Sequence, residues 1–155
     1  MLKTVAVWLA FLGLAMLNAC THERAGEPQR FAWNLHMEGP TARLAYGQPY
    51  SDNVGLILSC EQASGVVGVY GSTDPDRAVL RLASGRATSD LAGRVEADPF
   101  TGGYSFEAEA PVRAAALDGF VKTGKLSVIG KDRAIVMPAS GAERASVRRF
   151  FEHCA

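Results

Sequence analysis

The sequence predicts a mainly β domain, an antiparallel β-sandwich or barrel-like fold with a C-terminal covering α-helix. About eight short stretches alternate apolar residues with polar or small ones, which is the period of a half-buried strand. Turn residues, chiefly glycine, proline and aspartate, recur roughly every ten residues between these stretches. A parallel sheet would need helical crossovers between its strands. Helical patterns are missing from most of the gaps, so an antiparallel sheet is favoured.

Four strands are predicted in the first half of the domain. The first alternates Phe31, Trp33, Leu35 and Met37 with polar or smaller residues, which is typical of a strand with one buried face. The next three are predicted over residues 42–46, 54–60 and 66–70. They are separated by a Gly-Pro break, by a polar loop over residues 48–53 and by a tight turn near residues 63–65.

The second half continues in the same style. Strands are predicted over residues 78–83, 104–110, 125–129 and 132–137, and one or two shorter strands over 86–97. Pro111 and the residues from 112 to 117 predict one or two turns of helix, because proline is favoured at the first helical position.

The last residues predict an amphipathic helix. Ser140 and Glu143 have the spacing of a capping box, in which the glutamate reaches back to the amide of the first residue. Val147, Phe150, Phe151 and Cys154 then follow at the i, i+3, i+4 and i+7 positions. These four side chains form one apolar stripe, which we expect to pack on the sheet.

The first twenty residues resemble a bacterial lipoprotein signal peptide with its lipobox. Lys3 precedes an apolar run of about thirteen residues, whereas a membrane-spanning helix needs roughly 20. The run ends in Leu17-Asn18-Ala19-Cys20, although a small residue is more usual where Asn18 stands. The resemblance implies cleavage before Cys20 and attachment of lipid to that cysteine. The alternative is an ordinary secretory signal cut at Ala19, with Cys20 a free thiol.

This resemblance also sets the expected organisation and location. We expect a signal peptide over residues 1–19, a lipidated polar tether over 20–30 and a single β-rich globular domain over 31–155. The chain would then be anchored to a membrane of the bacterial cell envelope through its N-terminal lipid. Thr21 follows the lipid-bearing cysteine, and aspartate there is the usual retention signal. The expected site is therefore the outer membrane, with the domain facing the periplasm.

The two remaining cysteines predict a disulfide. Once Cys20 is assigned to lipid, Cys60 and Cys154 are left, and an even number in an exported chain favours a bridge. Alternation places Cys60 on one strand face with Leu56 and Leu58, and Cys154 belongs to the apolar helix stripe. Both thiols therefore point inward. Two separate buried thiols remain the alternative.

Charge and motif content narrow the classes of function. Without residues 1–19 the chain has 15 Lys and Arg against 16 Asp and Glu, a net charge near −1. This balance argues against nucleic acid, whose phosphates require an excess of basic residues. The chain also lacks the G-x-S-x-G run of a serine hydrolase, and His36 and His153 have no neighbours with metal-ligand spacing. We therefore expect no enzyme activity, no metal and no cofactor.

The domain resembles known proteins only in outline. The Trp33 strand, the leucine-rich strand that ends in Cys60 and the closing Phe-x-x-Cys segment are similar to small uncharacterised exported proteins of alphaproteobacteria and to the invasion-associated locus B family. These motifs are short and imply no function.

The expected function is a non-catalytic binding or assembly-support module of the cell envelope, acting on an envelope protein or a glycan. Tyr50, Phe100 and Tyr104 lie beside turns and are the candidate binding anchors. One alternative is a protein inhibitor of the lysozyme-inhibitor type, although Thr101-Gly102-Gly103-Tyr104 lacks the serine of a Ser-Gly-x-x-Tyr inhibitory loop. A further alternative is an envelope hydrolase that uses His36 with Glu107 and Glu109.

Overall fold

A computed structural model describes residues 30–99 and 101–155 of the chain. It is mainly β, with nine antiparallel strands in one nearly closed, barrel-like sheet and a C-terminal helix. The predicted fold class is therefore confirmed in its barrel-like form. The predicted signal peptide, Cys20 and the tether before residue 30 lie outside the described residues, as does Phe100.

The strands run in an order that sequence neighbours alone do not give. They are β1 (Ala32–Glu38), β2 (Thr41–Gly47), β3 (Val54–Glu61), β4 (Val66–Thr73), β5 (Val79–Ser84), β6 (Ala87–Ala97), β7 (Tyr104–Pro111), β8 (Lys125–Ile129) and β9 (Ala134–Pro138). Their order in the sheet is β1-β2-β3-β4-β7-β6-β5-β8-β9. The β4–β7 and β5–β8 pairs therefore bring together strands that are far apart in the chain.

The segment predicted as one or two short strands is the single strand β6. Its first part pairs with β5, from Ser84 opposite Ala87 onwards, and its second part pairs with β7, as far as Ala97 opposite Tyr104. The single strand β6 is long enough to pair with β5 along its first part and with β7 along its second part.

The helix predicted after Pro111 lies further along the chain. Pro111 ends β7, where it pairs with Val66 of β4, and α1 spans Ala115–Thr123. Proline lacks an amide hydrogen, so it suits the last position of a strand as well as the first position of a helix. The prediction was therefore wrong in both the start and the length of this helix.

The predicted terminal helix is confirmed as α2 (Gly141–Cys154), and its apolar stripe is buried. The Ser140 amide donates a hydrogen bond to Glu143 Oε2 at 3.1 Å, and the Ser140 hydroxyl donates to Oε1 at 2.7 Å. The predicted disulfide is also confirmed, since Cys154 is bonded to Cys60 of β3 with 5.7 Å between the Cα atoms. The bond attaches the end of α2 to the sheet.

The side chain of Trp33 bridges the two edge strands of the sheet, β1 and β9. Its indole Nε1 donates a hydrogen bond to the Met137 carbonyl at 3.2 Å, which joins the two edge strands directly. Its backbone amide donates to Glu143 Oε2 at 3.3 Å, so the carboxylate that caps α2 also contacts β1. A side-chain hydrogen bond thus connects β1 and β9, which have no backbone pairing with each other.

The two ends of the barrel are built differently. The β1–β2, β3–β4 and β5–β6 turns lie at one end, which we call the helix end because α1 packs on β5, β6 and β8 while α2 packs on β1, β2 and β3. The C-terminus of α2 contacts two of these turns. Amides of Ala63 and Gly65 donate to the carbonyls of His153 and Cys154 at 2.8 Å, and His153 Nε2 lies 2.8 Å from the Pro40 carbonyl oxygen. The β2–β3, β4–β5, β6–β7 and β8–β9 loops lie at the other end, the open end.

Candidate binding site at the open end of the barrel

A cavity of about 400 Å³ opens between the strands at the open end. We call it the mouth cavity. Strands β2, β3, β4, β5, β7, β8 and β9 and the residue before β1 all contribute to its wall. Its large apolar side chains are Phe31, Leu56, Leu80, Phe106, Val128, Ile135, Val136 and Met137. Cavities of this size and lining, in the mouth of a barrel, are typical of sites for small ligands.

A glycine in the middle of the wall helps to create this space. Gly71 lies on the inward row of β4 after Val67 and Val69, and it is paired with Leu56 on one side and Phe106 on the other. A Cβ atom at Gly71 would lie 3.2 Å from the Gly55 carbonyl oxygen and 3.3 Å from Leu56 Cδ1. A larger side chain at this position would project into the cavity or displace Leu56. Glycine in a strand often marks such a place.

A row of aromatic rings leads from the mouth cavity to the helix end. Phe31 lies 5.6 Å from Tyr46 between ring centroids, Tyr46 lies 5.2 Å from Trp33, and Trp33 lies 4.8 Å from Phe120 of α1. Phe120 in turn makes an edge contact with Phe151 of α2 at 6.3 Å. The rings form a continuous packed row beneath the cavity, in the tilted and edge-on arrangements that aromatic pairs favour.

Beside the cavity, the two edges of the sheet leave a slot towards solvent. Phe31, just before β1, and Ile135 and Val136 of β9 all line the cavity and are 40–53% exposed. The bond from Trp33 to Met137 closes the same gap nearer the helix end. An apolar molecule could therefore enter between these exposed side chains without separating any paired strands.

Polar groups are few on the cavity wall. Tyr46 contributes a phenol whose pKa is raised by burial and, to a smaller extent, by the negative charge of Glu143. Burial disfavours the charged phenolate, so the hydroxyl stays neutral and can donate or accept a hydrogen bond. Ser72 and Asn53 also line the cavity.

A polar groove of about 390 Å³ adjoins the mouth cavity. We call it the charged groove. Its lining includes three cations and two carboxylates from the β4–β5 and β8–β9 loops, namely Asp74, Arg77, Lys131, Asp132 and Arg133. Ser72, Leu80, Val128 and Ile135 line both the groove and the cavity, so the two spaces lie next to each other.

The groove is partly fixed by the fold. The Arg77 guanidinium donates a hydrogen bond through Nη1 to the Ile129 carbonyl at 2.8 Å. The Gly130 amide donates to the Arg133 carbonyl at 2.8 Å and closes the β8–β9 turn. This turn is the reason why β9 begins at Ala134, two residues later than the sequence predicted.

Two of the three predicted anchors can be placed, and both lie at the open end. Tyr50 projects from the β2–β3 loop and is fully exposed, with a left-handed φ of 59° that is uncommon for a bulky residue. Tyr104 is the first residue of β7, paired with Thr73 and Ala97, so it belongs to the sheet and not to a loop. Neither residue lines the mouth cavity. Phe100 lies outside the described residues.

The candidate catalytic residues do not converge. His36 points outward from β1 opposite Arg43, while Glu107 points outward from β7, and β2, β3 and β4 lie between them in the sheet. Glu107 is paired with Arg94 at 3.1 Å. An acid and a base must reach the same substrate atoms, and this separation prevents it. His153 contacts the Pro40 carbonyl at the helix end.

Sequence reasoning missed the mouth cavity. Its signals were present as Gly71 directly after the predicted strand 66–70 and as the run Ile135-Val136 in the last predicted strand. Neither signal specifies a cavity until the strand order brings β4 and β9 to the same end of the barrel. Phe31 and Tyr46 were predicted as strand residues without a functional role.

Comparisons with protein-family models, with curated proteins and with solved structures find no match to this chain. Within residues 30–99 and 101–155, no three His, Cys, Asp or Glu side chains are grouped as a metal site would require. The helices in this part of the chain are too short or too polar to span a membrane.

Proposed function

We propose that the chain is a non-catalytic binding module of the bacterial cell envelope that holds its ligand in the mouth cavity. The observation that carries this proposal is the cavity itself, an apolar space of about 400 Å³ that opens away from the helices and the disulfide. The resemblance of residues 1–20 to a lipoprotein signal supports an envelope location, with the domain attached through lipid on Cys20.

The division of the barrel into two ends supports binding. The helix end is fixed by the disulfide, by hydrogen bonds between α2 and two turns and by the buried stripe of that helix. The open end has loops and partly exposed apolar side chains. Binding sites are commonly built in this way, on loops and cavity rims that a rigid scaffold positions.

The geometry supports binding over catalysis for a second reason. Reaction chemistry needs an acid, a base or an electrophile at the place where substrate sits. The mouth cavity offers Tyr46, Ser72 and Asn53. The candidates for catalysis lie elsewhere, with His36, Glu107 and Glu109 on the outer surface and His153 at the helix end.

A binding experiment with a neutral apolar probe tests the proposal. N-phenyl-1-naphthylamine should bind the protein with one-to-one stoichiometry, and its fluorescence should increase on binding. Ile135→Asn, at the cavity rim, should weaken binding about tenfold because part of an apolar contact is lost. Val66→Asn is the matched control, since Val66 is similarly exposed but lies at the helix end. Equal affinity in both variants, or no saturable binding, would contradict the proposal.

One observation favours a second candidate, capture of a protein partner. Tyr50 adopts left-handed backbone conformation while its ring is wholly exposed, and such strain at an exposed aromatic is more typical of a contact surface than of a structural loop. Tyr50→Ala should then weaken capture of an envelope protein without changing the melting temperature or binding of the apolar probe. Retained capture by Tyr50→Ala would remove this candidate.

A further inference from the structure

The proposed function does not identify the ligand. Building on that function, we propose that the ligand is a single-chain zwitterionic phospholipid. Its acyl chain fills the mouth cavity and its headgroup lies in the charged groove. The two spaces share Ser72, Leu80, Val128 and Ile135, so an acyl chain in the cavity places its headgroup beside the groove.

The volume of the mouth cavity suits a ligand with a single acyl chain. A group the size of a water molecule or a methylene takes roughly 30 Å³. The cavity of about 400 Å³ therefore holds about a dozen methylenes, the length of one medium acyl chain. A lipid with two chains would leave the second one in water or force the rim apart.

The walls suit a saturated chain. Phe31, Leu56, Phe106, Val128 and Ile135 offer apolar contact area with no hydrogen-bonding side-chain groups. The Phe31–Ile135 slot opens between the sheet edges, where both side chains are partly exposed. A chain can enter there end first.

The charges of the groove select the headgroup. Lys131, Arg133 and Arg77 supply cations for a phosphate, and charge-assisted contacts of this kind are the strong ones. Among the described residues, no ion pair involves Lys131 or Arg133. Asp74 and Asp132 face the same groove and suit an ammonium group. A simple fatty acid would place its carboxylate beside these two carboxylates and satisfy only the cations.

The test uses the exported chain from residue 20 with Cys20→Ser, so that no attached lipid competes. This chain keeps the whole domain, because the described strands and helices and the disulfide lie between residues 32 and 154. Displacement of N-phenyl-1-naphthylamine is measured with lysophosphatidylethanolamines of increasing chain length, each below its micelle concentration. Affinity should rise about fourfold per methylene, or about two hundredfold from octanoyl to dodecanoyl, and then level off as the cavity fills.

The contribution of the headgroup is measured by comparing ligands that have the same chain length and different headgroups. Dodecanoyl lysophosphatidylethanolamine should bind about tenfold more tightly than dodecanoate or dodecanol. Lys131→Gln with Arg133→Gln should remove most of that advantage and leave probe binding unchanged. Arg148→Gln with Arg149→Gln, two exposed charges on α2, is the matched control and should change neither affinity.

The outcomes separate this inference from the proposed function. If the apolar probe binds at the mouth and the lysophospholipids fail to displace it, the ligand class is wrong while the binding site stands. Equal affinity for dodecanoate and the lysophospholipid, or affinity that keeps rising well beyond a dozen methylenes, also overturns the inference. If neither probe nor lipid binds, the proposed function fails as well.

Discussion

Breaking the Cys60–Cys154 disulfide should lower the free energy of unfolding by about 4 to 5 kcal/mol. The bond closes a loop with a sequence separation of 94 residues, which contains β4 to β9 and both helices. In the chain-entropy model, a loop of roughly 100 residues contributes about 4.7 kcal/mol, because the unfolded chain loses that much freedom when it is cross-linked. This is a third or more of the stability of an ordinary domain, which is about 5 to 15 kcal/mol.

The native structure should survive the loss. Val147, Phe150 and Phe151 of α2 stay buried without the bond, and the Ala63 and Gly65 amides still donate to the end of the helix. The protein without the bond should therefore unfold cooperatively at a lower temperature. A domain of this size loses roughly 4 °C per kcal/mol, so the midpoint should fall by about 15 to 20 °C.

The assay is urea and thermal unfolding, followed by far-ultraviolet circular dichroism, of residues 20–155 and of the Cys60→Ala, Cys154→Ala double variant. The slope of the free energy against urea should increase in the variant, since its unfolded state exposes more surface. Cys154→Ala alone serves as a control, because it also breaks the bond while leaving one buried thiol. A loss below about 1 kcal/mol would refute the reasoning, as would two alkylatable thiols in the folded protein purified without reductant.

Three further predictions concern single positions. Gly93→Ala should destabilise the domain by about 2 kcal/mol or more, because the new Cβ would lie 2.4 Å from the Glu107 carbonyl oxygen; Gly141→Ala, with open space around it, should be neutral or stabilising in the same urea titration. The pKa of Tyr46 is raised above 10.0 in the folded state, so its contribution to stability is complete below pH 10.0 and lost as the pH rises through the folded pKa. Tyr46→Phe should lessen this alkaline loss, and an unchanged profile would show that other groups cause it. Labelling with a clickable fatty acid should tag the chain at Cys20, and equal labelling of Cys20→Ala would remove the lipoprotein hypothesis.

Local pattern in the sequence was enough to predict most elements of the fold. Alternation identified the inward faces of strands such as β3, and the spacing from Val147 to Cys154 identified both the terminal helix and the inward thiol. These features depend on which side of an element is apolar, and that information is written in neighbouring residues.

Local sequence pattern could not predict which strands pair with each other in the sheet. An alternating pattern specifies the face of a strand but not the strand beside it, so the pairing of β4 with β7 and of β5 with β8 was open. The mouth cavity depends on that order, since its walls come from strands throughout the chain. For the same reason Tyr50 was recognised as an exposed aromatic, whereas Phe31 and Ile135 were not recognised as parts of one site. The lipid on Cys20, the envelope location and the absence of catalysis stay predictions.

The hydrogen bond between the Trp33 amide and Glu143 has a consequence for solubility. An edge strand presents a row of unpaired amides and carbonyls, and another molecule can add its own edge strand to that row. Here a carboxylate from α2 occupies one of the outward amides of β1, and it brings a negative charge to the edge. The incoming strand would have to displace a bond and desolvate a charge. The helix that stabilises the interior therefore also protects the domain against edge-to-edge aggregation.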